Sequence, residues 1–562
     1  MAVTTPKTVA SLMQKTLERQ AAVARMRLKF SKGQVEQILV NYVTKNVSGP
    51  YLELVKVLRD YPLNDDNFRI VFDDSLSCVV LLGRELDKYI DVVCNIEWIS
   101  RSEELVSLYK KFVLDLVTAH TYHCPKVMMR LVTLFKAEGE NWDNSSPPTE
   151  LLHKWSNIHE VIGNIVAIMP MTSDLLMHIV VDIFPYYKAG CYINRSYVYN
   201  LIWMSKYLPA LREQIMSAII NKMIEMDVNI VESEKNKAQS EMVFEMEMDT
   251  HDEVSETLDY CMLEVLNWLG DERDPILNIL CNVFERIILP TYGIRHIQFL
   301  LLYTMSINQQ CADRILNNLW IVAAGLQGLS PGALTTRRTS ASHLAGLLAR
   351  CARVPNSRLI RYLRSMSEWC HSYITATQES ITSSDNLKAH GAFHAICHAV
   401  FYLVAFKHQL LFLNKENMNF VESLNLPRLV TCPLNPLRTC PPQVTRAFSS
   451  VTRQHQVVYC EAIIEKNARH TLQAAGTMQY DEWFPYDPYN LPRSGKIIWP
   501  LCIEYKDWLK HGDDETQYSS MKRKLEAEDD DFLVSASPNQ RLASSLSNSI
   551  SAGFRTNDNV FI

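Results

Sequence analysis

The sequence predicts an all-α fold, a HEAT-like helical-repeat solenoid, on three observations. Leucine, isoleucine and methionine recur at helical spacing, while strict polar/apolar alternation over β-branched residues is hard to find. Glycine is scarce, at 17 of 562 residues, against roughly 7% in an average protein. Doubly wound nucleotide-binding folds place glycine at their strand-to-helix turns, so the shortage counts against them. Prolines stop one apolar run after another, as expected of helix pairs joined by short connectors.

Residues 1–30 form a basic, flexible N-terminal arm in which Lys7, Lys15, Arg19, Arg25, Arg27 and Lys29 face one acid, Glu18. It reads either as a solvated terminus or as a transient contact for an acidic partner or nucleic acid. From 31 to 510 helix follows helix. Between Arg195 and Leu208, one face collects Val198, Leu201, Ile202, Ser205 and Leu208, and Pro209 ends the run. The next helix turns Leu211, Ile215, Ala218, Ile219, Met223 and Met226 inward, and Arg212, Glu213, Asn221 and Glu225 outward. Such a pair occupies roughly thirty residues, the size of a solenoid repeat.

Similar stops fall at Pro170, Pro185, Pro290 and Pro355. Weak identity between units is tolerable in HEAT-type arrays, which share helix-pair geometry and a stacked apolar seam. A non-repetitive bundle is the competing architecture. Two segments interrupt the array: a polar loop at 137–149 and an acidic loop at 231–259. The acidic loop, with ten acids against two lysines, is expected to be disordered through self-repulsion. Residues 511–562 read as a disordered acidic and serine-rich tail.

Bulk properties narrow the function classes. A net charge of −6 disfavours a protein that coats nucleic acid. Fourteen scattered cysteines suit reduced thiols in the cytosol or nucleus. The N-terminus lacks the apolar core of a secretion signal. The best candidate for a membrane span, His394 to Leu413, is broken by His398, Lys407 and His408, and fits a buried helix better.

Chemistry-bearing residues are few. His390, His394 and His398 recur one turn apart beside Cys397, and His120, His123 and Cys124 form a weaker cluster. Zinc would accept such ligands, but the apolar flanks Phe393, Ile396, Val400 and Phe401 favour buried, hydrogen-bonded histidines. No GxSxG, Walker A, GxGxxG or HExxH motif occurs. The expectation is therefore no enzyme, no cofactor and no metal.

What remains is surface. Leu344, Leu347 and Leu348 form an LxxLL stripe with Ala349, Arg350 and Arg353 along it. The leucines read first as repeat core, and second as a partner-binding helix end. Arg337-Arg338-Thr339-Ser340 resembles a basophilic kinase site, but a helix start capped by Thr339 or Ser340 is the preferred reading. In the tail, Ser537-Pro538 and Arg541 to Ser544 fit kinase motifs, and Lys522, Arg523 and Lys524 form a candidate nuclear import signal.

The succession from His390 to Tyr505 carries a family likeness, through His390-Gly391, Phe401-Tyr402, Leu434-Asn435-Pro436-Leu437, Ile463-Ile464-Glu465 and Phe484-Pro485-Tyr486-Asp487-Pro488. Ile96 to Ser102, Val117 to His120, Phe184-Pro185, Asp227-Val228-Asn229, Leu289-Pro290-Thr291 and Asp529 to Leu533 extend it. In these elements the chain resembles the RNA polymerase I transcription initiation factor family called TIF-IA.

The resemblance implies a nuclear and nucleolar, non-catalytic adaptor. It would bind RNA polymerase I near its stalk and recruit it to the promoter selectivity factor, or core factor, at ribosomal DNA. Regulatory kinases are implied as partners, a homodimer and direct DNA contact are left open, and no membrane is involved. Leu348-Ala349-Arg350 matches the family segment assigned to the selectivity factor, with Cys351, Ala352 and Arg353 departing from its usual run. Ser100, Ser102 and Ser107 lie in the half of the chain where the family's polymerase-docking serines belong. A generic helical-repeat scaffold or nuclear transport adaptor is the alternative function.

Overall fold

The computed structural model describes residues 30–137, 142, 146–240, 253–272, 274–291, 293–326, 333–377, 390–471, 485–486 and 489–504. Among these residues regular structure is helical, and the one extended pairing is an isolated antiparallel bridge between Cys351 and Cys502. Two compact units divide the chain, residues 1–218 and 219–562.

In the first unit the helices are α1 (Gln34–Lys45), α2 (Ser48–Asp60), α3 (Asp65–Ser77), α4 (Asp87–Asn95), α5 (Glu103–Ala119), α6 (Cys124–Thr133), α7 (Thr149–Ile168), α8 (Thr172–Ile183) and α9 (Cys191–Tyr207). Local chemistry sets their ends. Asn46 terminates α1 in a left-handed conformation at φ 53°, and the Asn64 side chain accepts the Asn67 amide to cap α3. Within α5, Leu105, Val106, Tyr109, Phe112, Val113, Leu116 and Val117 are buried at helical spacing.

Packing follows a rule of alternation. Odd-numbered α1, α3, α5 and α7 each pack on the next odd helix, and α2, α4 and α6 likewise on the next even one. This makes two parallel rows, the HEAT-like arrangement read from the sequence. Pro170 and Pro185 fall directly after α7 and α8, where they stop those helices.

The division between units falls within α10 (Arg212–Ser240). The inward face expected from the sequence holds: Ile215, Ile219, Met223 and Met226 are fully buried. Helix borders the acidic stretch on both sides, since α10 continues through Ser240 and α11 (Glu253–Glu272) begins within it. Leu258 and Asp259 are buried there; an apolar face and a capping carboxylate outweigh the local acid excess. Residues 241–252 lie outside the described residues. So does most of the loop at 137–149, although its Trp142 is buried against Arg195, with the guanidinium 4.0 Å from the ring centre.

The second unit adds α12 (Asp274–Val283), α13 (Phe299–Ile307), α14 (Gln309–Ala324), α15 (Ala333–Arg350), α16 (Asn356–Thr377), α17 (Gly391–Phe406), α18 (His408–Leu411), α19 (Lys415–Ser423), α20 (Leu426–Thr431), α21 (Pro442–Gln454), α22 (Glu461–Thr471) and α23 (Pro492–Ile498). Every residue of α17 is buried. It is apolar all round because α14, α15, α16 and α21 surround it. No helix among the described residues is long and apolar enough to cross a membrane.

The chain then returns as a strap. The backbone amides of Arg493 and Ser494 donate to the Asp259 carboxylate on α11 at 2.8 Å each, and the Arg493 guanidinium reaches Glu256 at 2.9 Å. Gln298 donates to the Pro485 carbonyl, and Tyr486 shares a 3.1 Å hydrogen bond with His343 on α15. Only glycine fits opposite Tyr486: a Cβ at Gly346 would stand 2.6 Å from the ring. Ala352 N donates to Leu501 O, and Ile503 N to Arg350 O, closing the strap on the end of α15.

Candidate partner-binding site

The exposed turn between α4 and α5 is built from its core outwards. Trp98 is buried and stacks on Tyr109 with ring centres 4.6 Å apart. Arg101 fastens the turn to the preceding repeat. Its guanidinium pairs with Asp65 at 2.5 Å, donates to Leu63 O at 2.8 Å and lies 4.4 Å from the centre of the Phe68 ring. Its Nε also donates to Glu97 O at 2.8 Å. These four ties hold the backbone and leave Ser100 and Ser102 exposed.

Ser102 is the N-cap residue of α5, and Glu103 and Glu104 occupy the first turn. Ser107, exposed one turn further along, lies on the same helical face as the two glutamates. Glu104 pairs with Arg69. The structure thus brings Ser100, Ser102 and Ser107 together as a solvent-facing group on a fixed scaffold.

A contrasting edge runs along the opposite ends of the same helices. In two stacked rows, connections from odd to even helices share one edge and return connections share the other. The odd-to-even turns carry the exposed apolar residues Val47, Val80, Leu81, Tyr122, Ile168 and Met171. Val80 is 77% and Met171 92% exposed, too open for core packing. Two of the turns touch: His120 Nε2 bonds to Val79 O at 3.0 Å, and the Arg84 guanidinium lies 4.5 Å from the centre of the Tyr122 ring. A row of exposed apolar side chains on successive turns was legible only after helix pairing was known, because each residue looks isolated in sequence.

The LxxLL stripe is placed differently. Leu344, Leu347, Leu348 and Ala349 are buried in α15 against the rest of the unit, and Arg350 is buried too. The Arg350 guanidinium donates to Ile503 O at 3.2 Å and lies 5.0 Å from the centre of the Phe406 ring. These five side chains pack in the core and against the strap, and Arg353 alone of the set is exposed. Ser340 also needs correction. The helix starts at Ala333, and Ser340 is fully buried with its hydroxyl donated to Thr336 O at 2.7 Å. It is neither a cap nor an accessible phosphorylation site. Ser537, Ser544, Lys522, Arg523 and Lys524 lie outside the described residues.

The histidines are structural clasps. His394 and His398 project from α17, and their Nε2 atoms bond at 3.0 Å to the Leu434 and Pro436 carbonyls of the LNPL loop. A carbonyl only accepts, so each Nε2 carries the proton. His390 meets Tyr373 at 2.9 Å, and His123 Nε2 meets Leu82 O at 2.9 Å. Asn435, at φ 45°, exchanges amide hydrogen bonds with Asn467 to complete the loop. No grouping of three or more metal-ligating side chains occurs among the described residues.

Burial pushes the His394 pKa down to about 4 and the His398 pKa down to about 3. The unfolded state then binds protons below about pH 6.5 that the folded state refuses. Stability is full above that pH and falls as pH drops through the window towards 3–4. Urea titrations should show a midpoint that declines from pH 6.5 to 5, where carboxylates contribute little. His398→Gln should flatten that decline while lowering the midpoint at pH 7; an unchanged slope would refute the assignment.

Comparisons with known proteins place the chain. A family model described as "RNA polymerase I specific transcription initiation factor RRN3" matches residues 24–274 and 231–510. The mouse RNA polymerase I-specific transcription initiation factor RRN3 is 28% identical over 590 residues, covering 93% of this chain and 86% of its own. The Caenorhabditis elegans RNA polymerase I-specific transcription initiation factor tif-1A is 21% identical over 507 residues, covering 77% of this chain and 76% of its own. The crystal structure of RNA polymerase I transcription initiation factor Rrn3 superposes with a TM-score of 0.70 at 20% identity, over 85% of this chain and 99% of that one.

Proposed function

Because the chain belongs to the RRN3 family of RNA polymerase I-specific transcription initiation factors, we propose that it acts as a non-catalytic adaptor. It binds RNA polymerase I near its stalk and recruits it to the promoter-bound selectivity factor, or core factor, at ribosomal DNA. The observation that supports this reading is the pair of contrasting edges on the first unit. One edge offers the exposed, rigidly held serines at 100, 102 and 107, and the other offers the apolar row from Val47 to Met171. Simultaneous occupancy of two surfaces raises the effective concentration of polymerase at the promoter without any new chemistry.

The site of action is the nucleus, and within it the nucleolus. Phosphorylation by regulatory kinases is the control, acting at the exposed serine turn and at Ser537 and Ser544, with Lys522 to Lys524 directing import. Each phosphate adds about −1.5 to −2 charges and weakens contact with an acidic partner surface. Arg353 is the one exposed residue of the LxxLL segment available to the selectivity factor.

Affinity purification from nuclei at low and moderate salt tests the proposal. RNA polymerase I subunits are expected to copurify, with a salt-sensitive share reporting the electrostatic part of the contact. Transport receptors or cytoskeletal proteins in their place would establish the scaffold alternative.

A further inference from the structure

Residues 314–367 contain eight arginines and no lysine, aspartate or glutamate, in a chain whose net charge is −6. The fold disposes of most of them. Arg314 reaches Asn282 at 2.6 Å and Glu285 at 3.8 Å, and Arg358 pairs with Asp313 at 2.7 Å. Arg337 is drawn onto Ala323 O at 3.0 Å, Arg338 packs by Gly391, and Arg350 is buried. Arg353, Arg361 and Arg364 remain exposed, and none has a carboxylate partner among the described residues.

These three follow one another from the turn after α15 along the first half of α16. Arg361 and Arg364 are braced, not loose: their guanidinium groups lie 4.7 Å and 5.6 Å from the centres of the Tyr362 and Phe420 rings. Exposed acids do occur on neighbouring positions, at Glu368, Glu416 and Glu422, without pairing to this trio. A braced row of like charges without counter-charge is unfavourable by itself and calls for an anionic occupant.

The chain supplies one. Its described part ends at Glu504, immediately after Ile503 has bonded to Arg350, three residues before Arg353. Beyond it, Glu526, Glu528, Asp529, Asp530 and Asp531 place five acids within six residues. Twenty-one residues separate Glu504 from Glu526, and a random coil of that length spans about 25 Å on average. The whole of α16 is about 33 Å long, so its arginine-bearing half lies within reach of the acidic block.

We propose that the acidic block at 526–531 docks on Arg353, Arg361 and Arg364, so that the chain shields its own basic face. Tethering gives the block an effective concentration of about 1 mM, enough to populate a contact that would be weak between separate molecules. An outside anion must displace the block to use the face. The proposal invokes neither the serine turn nor the apolar edge, and shares only Arg353 with the selectivity-factor assignment.

Arginine labelling of the full-length chain with phenylglyoxal, read by peptide mass spectrometry, tests it. The comparison protein carries Glu526→Gln, Glu528→Gln, Asp529→Asn, Asp530→Asn and Asp531→Asn, all outside the described helices. At low salt Arg353, Arg361 and Arg364 should react about threefold or more faster in the neutralised protein, the change expected of a largely occupied tethered contact. Arg469, exposed and paired with Glu465 at 3.0 Å, is the internal standard and should not change. At about 0.5 M salt the difference should vanish by screening. Equal reactivity of the three arginines in both proteins at low salt overturns the proposal. So does protection of the native chain that arises only on adding a short DNA duplex, which would assign the face to nucleic acid.

Discussion

Asp227→Asn is expected to lower the unfolding free energy of the unit containing α11 to α23 by about 1.5–3 kcal/mol, the scale of hydrogen bonds made to a charged group. The Asp227 carboxylate is fully buried on α10. One oxygen accepts the backbone amides of Arg295, His296 and Ile297 at 3.0, 2.8 and 3.2 Å, and the other meets His296 Nδ1 at 2.8 Å. Asparagine keeps the shape but replaces one acceptor with a donor. With its oxygen kept towards the three backbone amides, the NH2 group faces His296 Nδ1, which accepts it only by moving its proton to Nε2; turned the other way, the amides of residues 295–297 lose their acceptor. Denaturant titration checks the value, and a loss below about 1 kcal/mol, the scale of a single ordinary hydrogen bond, would show that the turn at 295–297 relaxes to find other acceptors.

The second large effect concerns polymerase capture. Replacing Ser100, Ser102 and Ser107 together with aspartate should reduce recovery of RNA polymerase I by about tenfold or more, as like charge meets an acidic partner face. Misfolding is a poor explanation for such a loss here. All three side chains are exposed, and Ser102 occupies an N-cap position, where its side chain makes no capping bond. Aspartate is a better N-cap and complements the helix dipole, so Ser102→Asp should leave the melting temperature unchanged or raise it slightly. Retained polymerase binding with unchanged stability would remove these serines from the interface.

Much of the fold was legible because its signals are local. Pro170 and Pro185 mark helix ends within a few residues, and the inward face of α10 follows from its own spacing. The even–odd row packing follows once helices are short and successive. Function-bearing detail was less accessible. Arg350 looked like a surface charge beside an LxxLL stripe, but the carbonyl of Ile503, 153 residues later, takes it inside. Asp259 looked like one more acid in a repelling run, yet it caps α23 from 235 residues away at Ser494. Neither partner can be inferred from neighbours in sequence. The arginine-only stretch at 314–367 was readable by counting alone, although which of its members stay exposed depends on Asp313 and on the strap.

The strap from 485 to 504 also sets a timetable for synthesis. Tyr486, Tyr489 and Ile498 complete packing for helices as early as α11, so a nascent chain that has already emerged as far as α17 still lacks its closing layer. The first unit, built from neighbour-to-neighbour contacts, can mature while the ribosome is still translating. The second must hold apolar faces open until residue 504 is released, and contacts this distant close slowly. The layer that closes the second unit is thus the last part of it to be made.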